Sequence, residues 1–220
     1  MTVTNSGLYD QDGDIVVTGA FLQDGAGTNE LGADLTADSI QFDGASTLTG
    51  NVIFTSGGAA GNDIAFNNTI AGGTNNLTLD AGAAGDITIT GDVTNAGAFN
   101  VTDGDVQSYA GVQATSVTIA NADTSISFGG LVDTSGAAGA DGGAVSITGD
   151  ADATLVLSGG IDSSGGDNGA GAGGNGGQID LTAGGGITTV AATSIDSHGG
   201  DATDGVSVGG DGGNVTFNGP

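Results

Sequence analysis

Three aspartates recur at the same place in a segment that the sequence repeats three times. Asp133, Asp162 and Asp196 each follow a short apolar stretch and precede a glycine-rich run. If the repeats stack, the three carboxylates come close together, and like charges on adjacent strands are destabilising. Two explanations stay open: each side chain bonds backbone N–H groups of the following turn, or a cation lies between the carboxylates.

A second set of carboxylates lies near the start of the sequence, where Asp10, Asp12 and Asp14 alternate around a glycine turn. Hard cations bind several oxygens, and this spacing can direct three carboxylates at one ion. The EF-hand pattern fails, because its glycine is displaced and its final acidic ligand is missing. A solvated turn before a strand at Ile15 is the alternative. Together the six aspartates are the candidate calcium ligands of the chain.

Enzymatic activity has little support in the sequence. His198 is the single histidine, and it aligns with Ser135 and Ser164 of the other repeats, as expected of a loop residue. Enzymes that act on acidic sugars need cationic groups, and sugar binding generally uses aromatic surface. The chain has no Lys, no Arg, no Trp and two Tyr. Hydrolysis by paired aspartates stays chemically possible, so a polysaccharide-active enzyme is a remote alternative.

The charge of the chain restricts its partners. It carries 26 acidic residues and a formal net charge of −26. Nothing can neutralise phosphate, which excludes nucleic acid and anionic membranes as partners. An acidic polysaccharide would need bridging cations. Divalent cations are expected partners because they relieve self-repulsion, and the absence of Cys excludes disulfides.

The aspartates belong to a repeat of short strands. A small or polar residue followed by two apolar residues with one residue between them recurs along the whole chain, which predicts strands with alternate residues inside. We expect the members of the first series from Ile40 onward to form one interior column. That series is Ile15, Ile40, Ile64, Ile87, Val117, Val145, Ile179 and Val215. Two further series lie between its members: Val52, Leu77, Phe99, Ile126 and Leu155, and then Leu131, Ile161 and Ile195.

Three strand series in a fixed order predict an all-β fold, a single parallel β-helix over residues 1–220 with about three short strands per coil. Residues 1–110 form tighter coils. Residues 111–220 form coils with long glycine-rich loops at one corner, which we interpret as flexible loops. An antiparallel sandwich is the competing fold. The outward threonine positions are too irregular for ice binding, and the loops fit the calcium-binding glycine nonapeptide poorly.

The DIxI-type strands, such as DITI at Ile87, and the IDSxGG corners at Ile161 and Ile195 resemble the repeats of large secreted bacterial surface proteins. Filamentous-haemagglutinin-like adhesins and autotransporter passengers are the familiar cases. The resemblance covers nearly the whole chain through repeats and not through a site motif. It implies an extracellular β-helix that acts as an adhesin, a stalk or a surface layer.

From these features we expect an extracellular, cell-surface structural protein that assembles end to end, with itself or with flanking repeats, into a filament or layer. A stalk segment of a large adhesin, mediating attachment or biofilm formation, is the alternative. The sequence shows no apolar run for a transmembrane helix and no signal-peptide pattern. Neither end shows a polar cap, and bare strand edges favour continued pairing.

Overall fold

The computed structural model describes residues 1–190 and 193–220, and it confirms the predicted parallel β-helix. Every strand pairing among these residues is parallel, and none of them lies in a helix. The strands are β1 (Thr2–Thr4), β2 (Leu8–Gln11), β3 (Ile15–Val16), β4 (Phe21–Asp24), β5 (Thr28–Leu31), β6 (Leu35–Thr36), β7 (Ile40–Phe42), β8 (Ser46–Leu48), β9 (Val52–Thr55), β10 (Ile64–Phe66), β11 (Ile70–Ala71), β12 (Leu77–Asp80), β13 (Ile87–Ile89), β14 (Val93–Tyr109), β15 (Val112–Phe128), β16 (Val132–Asp133), β17 (Val145–Gly149), β18 (Thr154–Leu157), β19 (Ile161–Asp162), β20 (Ile179–Thr182), β21 (Gly186–Thr189), β22 (Ile195–Asp196) and β23 (Val215–Asn218).

The strands stack into three faces, and each coil visits the faces in the same order. The first face contains β1, β4, β7, β10, β13, β18 and β21. The second contains β2, β5, β8, β11, β16, β19 and β22. The third contains β3, β6, β9, β12, β17, β20 and β23. Strands β14 and β15 are long enough to take part in all three.

The prediction of a single interior column for the first series is wrong. Ile40, Ile64 and Ile87 stack on the first face. Val117 instead stacks on the third face, under Val145. The remaining members follow it there: Ile179 and Val215. The series therefore changes face between Ile87 and Val117.

Gln107 explains the change of face. It takes the interior position after Ile87 on the first face, and Ile126 follows it. The side chain is fully buried. Its amide donates to the Gly104 carbonyl at 3.2 Å and accepts from the Tyr109 hydroxyl at 3.0 Å. A polar residue with satisfied hydrogen bonds thus occupies a core position that an apolar pattern does not reveal.

The interior changes in character along the helix axis. One aromatic cluster is centred on Phe42, whose ring stacks on Phe66 at 5.1 Å and meets Phe54 edge-on at 5.7 Å. The first coils also bury polar side chains. These are Gln11, Gln23, Asn29 and Ser46. The first coils therefore have a partly polar core, and buried polar side chains recur later along the axis at Gln107, Thr134, Ser163 and Ser197.

The long loops leave the helix at one corner, between the second and third faces. They span residues 136–144, 165–178 and 199–214, as predicted, and we call them the glycine ridge. The interpretation of these loops as flexible does not fit the structure, because a chain of backbone hydrogen bonds joins them. Gly166 donates to Ala140 at 2.9 Å, Gly174 to Gly166 at 3.0 Å, Gly200 to Gly174 at 2.8 Å and Gly210 to Gly200 at 2.8 Å.

The ridge packs backbone against backbone, and this packing requires glycine. A Cβ added at Gly174 would overlap the Ala140 carbonyl oxygen, and one at Gly210 would overlap the Gly174 carbonyl oxygen. Carbonyl oxygens of the preceding or the following coil lie equally close to other glycines of the ridge. The ridge is thus a second packed layer, in which backbone hydrogen bonds take the place of an apolar side-chain core.

Candidate functional site

The structure brings together the three aspartates of the repeat. Asp133 pairs with Asp162 and Asp162 with Asp196 on successive strands of the second face. Gln113 precedes them in the same column, and its amide donates to Asp133 Oδ2 at 3.1 Å. The predicted stacking of like charges is therefore present.

Each of these carboxylates closes the turn that follows it. Asp133 Oδ1 accepts from the backbone N–H of Ser135 at 3.0 Å and from its hydroxyl at 2.6 Å. Asp162 Oδ1 accepts from Ser164 at the same two distances. Asp196 repeats the arrangement with His198. These are Asx turns, in which the aspartate side chain supplies the acceptor that starts each ridge loop.

His198 replaces the serine of the other two repeats in this turn. Its backbone N–H donates to Asp196 Oδ1 at 3.1 Å, and its Nδ1 lies 2.8 Å from the same oxygen. Hydrogen bonding to Asp196 raises the pKa of His198, and the same bond lowers the pKa of Asp196. Because 62% of the His198 side chain is exposed, water screens this pair strongly.

Hydrogen bonds also set the ionisation of Asp133. Partial burial by itself raises the pKa of this carboxyl, but bonds from Ser135 and then Gln113 outweigh it and lower the pKa below its ordinary value. The carboxylate is therefore held in its charged form by three donors.

Asp10 lies in strand β2, and Asp12 and Asp14 lie at the corner between β2 and β3. Asp10 is exposed and pairs with Glu30 of the next coil. Asp14 Oδ1 accepts from the backbone N–H of Asp34 at 3.2 Å. Within residues 1–190 and 193–220, no three His, Cys, Asp or Glu side chains are arranged to hold a metal ion. Calcium binding at the six aspartates stays a prediction.

The contact made by Asp14 is one of a set of hydrogen bonds between coils that the sequence pattern did not predict. Side-chain oxygens in one coil accept backbone N–H groups of the next coil. Asp63 Oδ1 accepts from Asp86 at 3.0 Å, and Asp86 Oδ1 accepts from Val106 at 3.2 Å. The same arrangement joins further pairs: Asp34 to Ile53, Asn51 to Asn76, Asn76 to Ala98, Asp141 to Asn175, Asn175 to Asp211 and Asp167 to Asp201. We call these contacts the side-chain ladder.

A signal for the side-chain ladder is present in the sequence. Asp14, Asp34, Asp63 and Asp86 each immediately precede an interior strand residue. The same pattern predicts the start of a strand, and the structure shows that the aspartate also joins the coils. Many of the acidic residues are therefore structural hydrogen-bond acceptors.

A further acidic group lies around Asp103, which pairs with Asp80 across two coils. Partial burial raises the pKa of Asp103, and the carboxylates of Asp123, Asp80 and Asp150 raise it further, against one hydrogen bond from Gly104. Repulsion between these carboxylates is a local cost of the fold at neutral pH.

The best-defined concavity is an open groove of about 310 Å³ beside the aspartate column, lined in part by Asp92, Gln113 and Leu131. Its lining combines the carboxylates of Asp92 and Asp133 and the Gln113 amide with apolar side chains such as Leu131.

Comparison with known proteins gives no match among family models, curated proteins or solved structures. In the part of the chain that the structure describes, no helix is long and apolar enough to cross a membrane.

Proposed function

We propose that the protein is an extracellular structural element, a β-helix subunit or segment that assembles end to end in a cell-surface filament or layer. One observation carries the proposal. The strand ladders run without interruption through all three faces to β23, which pairs with β20 on one side and with no described strand on the other. Open parallel edges favour pairing with a further coil, from flanking repeats or from a second copy.

The last coil also exposes the residues that earlier coils bury. Phe217 follows Leu181 in an interior column of the third face, yet it is 52% exposed. Covering such side chains with another coil would stabilise the contact by burying apolar area. Repulsion between acidic chains opposes assembly, so salt or divalent cations should strengthen it.

Electron microscopy and light scattering of the full chain test the proposal, with and without added calcium. We expect filaments or sheets, and we expect Val215→Pro to prevent them by removing a donor from the terminal strand edge. Val16→Pro makes the same change at an exposed position in the first coils. It serves as the comparison at the opposite end of the helix. A wild-type chain that stays monomeric at high concentration with calcium would contradict self-assembly.

Calcium is a proposed partner of the acidic columns, supported by the stacking of Asp133, Asp162 and Asp196. A ligand that binds the native state raises the melting temperature by mass action. We expect millimolar calcium to raise it more than sodium chloride of matched ionic strength. Equal melting temperatures in the two salts would mean that calcium acts only by screening the negative charges.

A stalk segment of a larger adhesin is the second candidate, favoured by the difference between the two ends. The glycine ridge begins at Gly136, whereas the first coil turns tightly between β2 and β3. Head-to-tail contact between identical chains would therefore leave the last ridge loop uncovered. Binding of the purified chain to host-cell surfaces or abiotic material, without filament formation, would support this candidate.

A further inference from the structure

An open groove crosses three successive coils within the helix, at the place where the glycine ridge begins. Its larger part is the concavity of about 310 Å³ beside the aspartate column, and a second concavity of about 300 Å³ adjoins it. Gln113 lines both parts, Asp92 and Leu131 line the first, and Ala137 lines the second. We call the two together the step groove, because the tight coils meet the first ridge loop there.

The floor of the step groove is a position without a side chain. Asp92, Gly111 and Leu131 lie in one column, because the strand residues that follow them pair in parallel register. Gly111 therefore lies between a carboxylate in the preceding coil and a leucine, 45% exposed, in the following coil. Gln113 pairs with Asp133 in the neighbouring column. Carboxylates and one exposed apolar side chain thus bound the groove.

Hydrogen bonds from the middle of these three coils hold both carboxylates at the groove. Asp92 Oδ1 accepts from the N–H of Gly111 at 2.8 Å. Asp133 Oδ2 accepts from the Gln113 amide at 3.1 Å, while its Oδ1 accepts from the N–H of Ser135. The two carboxylates therefore lean toward the same coil from opposite sides. Two interstrand spacings, about 10 Å, separate the coils that carry them.

The first ridge loop, residues 136–144, borders the step groove and keeps it open. Glycines of the second loop face carbonyl oxygens of the first, as Gly166 faces Ala137 and Gly174 faces Ala140. The first loop has alanine at the equivalent positions, which are Ala137 and Ala140 themselves, and both are exposed. Their methyl groups occupy the space that a preceding ridge loop would need. A glycine-rich coil therefore does not fit under the first loop.

The lining of the step groove specifies a partner with long basic side chains. Its carboxylates favour a cation, whereas the exposed Leu131 favours apolar contact. Lys and Arg combine both properties, because an aliphatic stem carries the charged group. A bare metal ion would leave Leu131 uncovered, and an apolar ligand would desolvate the carboxylates. This chain contains neither Lys nor Arg, so a second copy cannot supply such a side chain.

We propose that the step groove binds an extended basic segment of another protein, with Lys or Arg at alternate residues. Alternate side chains of an extended strand point the same way and lie about 7 Å apart. Two long basic side chains at that spacing reach Asp92 and Asp133, and the stem of one lies along Leu131. The inference goes beyond end-to-end assembly and does not depend on it, because the groove lies within the helix and not at its last coil.

The test is binding of a fluorescent peptide of alternating Lys and Thr to the full chain, measured by anisotropy. The control peptide has Gln in place of each Lys. Sodium chloride at about 0.15 M limits electrostatic attraction to a range of about 8 Å, which suppresses the general effect of the net charge. We expect the Lys peptide to bind and the Gln peptide not to bind. Equal affinity of the two peptides, or no binding of the Lys peptide at millimolar concentration, would overturn the inference.

Three protein variants locate the binding site. Asp92→Asn and Asp133→Asn keep an oxygen that accepts from Gly111 or Ser135 but remove one charge, so each should weaken binding of the Lys peptide about fivefold. Asp162→Asn makes the same change one coil further along the aspartate column, outside the groove. It should change the affinity less than about twofold. Melting temperatures check that all three variants fold. Equal weakening by all three would show attraction by net charge alone and would overturn the inference.

Leu131→Ala tests the apolar part of the groove. It leaves every charge in place and removes the surface under the basic stem, so it should weaken binding about threefold. Unchanged affinity would contradict the assignment of the stem to this groove. Calcium gives the last comparison. If calcium raises the melting temperature of the wild type but not of Asp92→Asn and Asp133→Asn, while the Lys peptide does not bind, the groove is a metal site and the inference is wrong.

Discussion

Successive coils are joined by different contacts in the early and the late parts of the helix. In the early coils, aspartate and asparagine side chains reach the backbone of the following coil, as Asp63 does with Asp86. In the late coils the side-chain ladder continues, as between Asp141 and Asn175, and glycine backbones also pack directly, as Gly174 and Gly200 do. The first method needs carboxylate or amide oxygens, and the second needs the absence of side chains.

The contacts that join successive coils account for two extremes of the composition, the many acidic residues and the many glycines. The chain has 26 acidic residues and 47 glycines. Ladder positions account for part of the acidity, and the ridge for part of the glycine. Neither feature needs a catalytic role. The core, by contrast, is an ordinary apolar interior through most of the helix, and it should dominate stability in both regions.

The largest expected effect compares two phenylalanines in one interior column. Phe54 is fully buried, while Phe217, at the other end of the column, is 52% exposed. Phe54→Ala should lower the free energy of unfolding by about 3–5 kcal/mol, because it leaves a cavity between Phe42 and Phe66. Urea denaturation measures the loss.

Phe217→Ala is the matched control and should cost far less in a monomeric preparation. If both variants lost equal stability in that monomeric preparation, the last coil would be covered in solution by its own chain. That result would contradict the open terminal coil on which the proposed assembly depends.

The next prediction concerns the ridge alone. Gly176→Ala forces a methyl group against the Ser197 carbonyl oxygen of the following coil. We expect a loss of about 1–3 kcal/mol, the usual cost of overpacking, measured by thermal and urea unfolding. The control is Gly61→Ala, at a position with open space but a φ of 82°. Its loss of stability reports backbone strain alone and so distinguishes strain from steric overlap. A neutral Gly176→Ala variant would mean that the ridge is loosely packed.

A smaller effect tests the side-chain ladder of the early coils. Asp86→Ala removes the acceptor for the Val106 N–H and should cost about 1 kcal/mol. Asp86→Asn keeps an oxygen in place and should stay close to the wild type. Asp141→Ala should cost less than Asp86→Ala, because the glycine backbone bonds around it persist. Equal losses for alanine and asparagine at position 86 would show that charge, and not the hydrogen bond, matters.

The fold was predictable because alternation survives in nearly every strand. The face of each strand was not, since Gln107 takes a core position without an apolar signal and the series was therefore assigned to one column. The Asx turns at Asp133, Asp162 and Asp196 were one of two alternatives that the repeat left open. The packing of the ridge was hidden, because glycine carries no side chain from which a pattern could be read.

The smallest predicted effect lies at His198, where the late repeats differ from one another. The raised pKa of His198 means that its stabilisation is fully present below the ordinary value of 6.5 and is lost as the pH rises through the raised value. The lowered pKa of Asp196 means that its stabilisation is present above 3.8 and is lost as the pH falls through the lowered value. The pair therefore contributes most between these limits. His198→Ser should keep the turn, as Ser164 does, and remove the loss of stability above pH 6.5. Because the pair is exposed, the difference should be at most about 0.5 kcal/mol. Melting curves of both proteins from pH 5 to pH 8 measure it, and superimposable pH profiles would mean that water screens the contact completely.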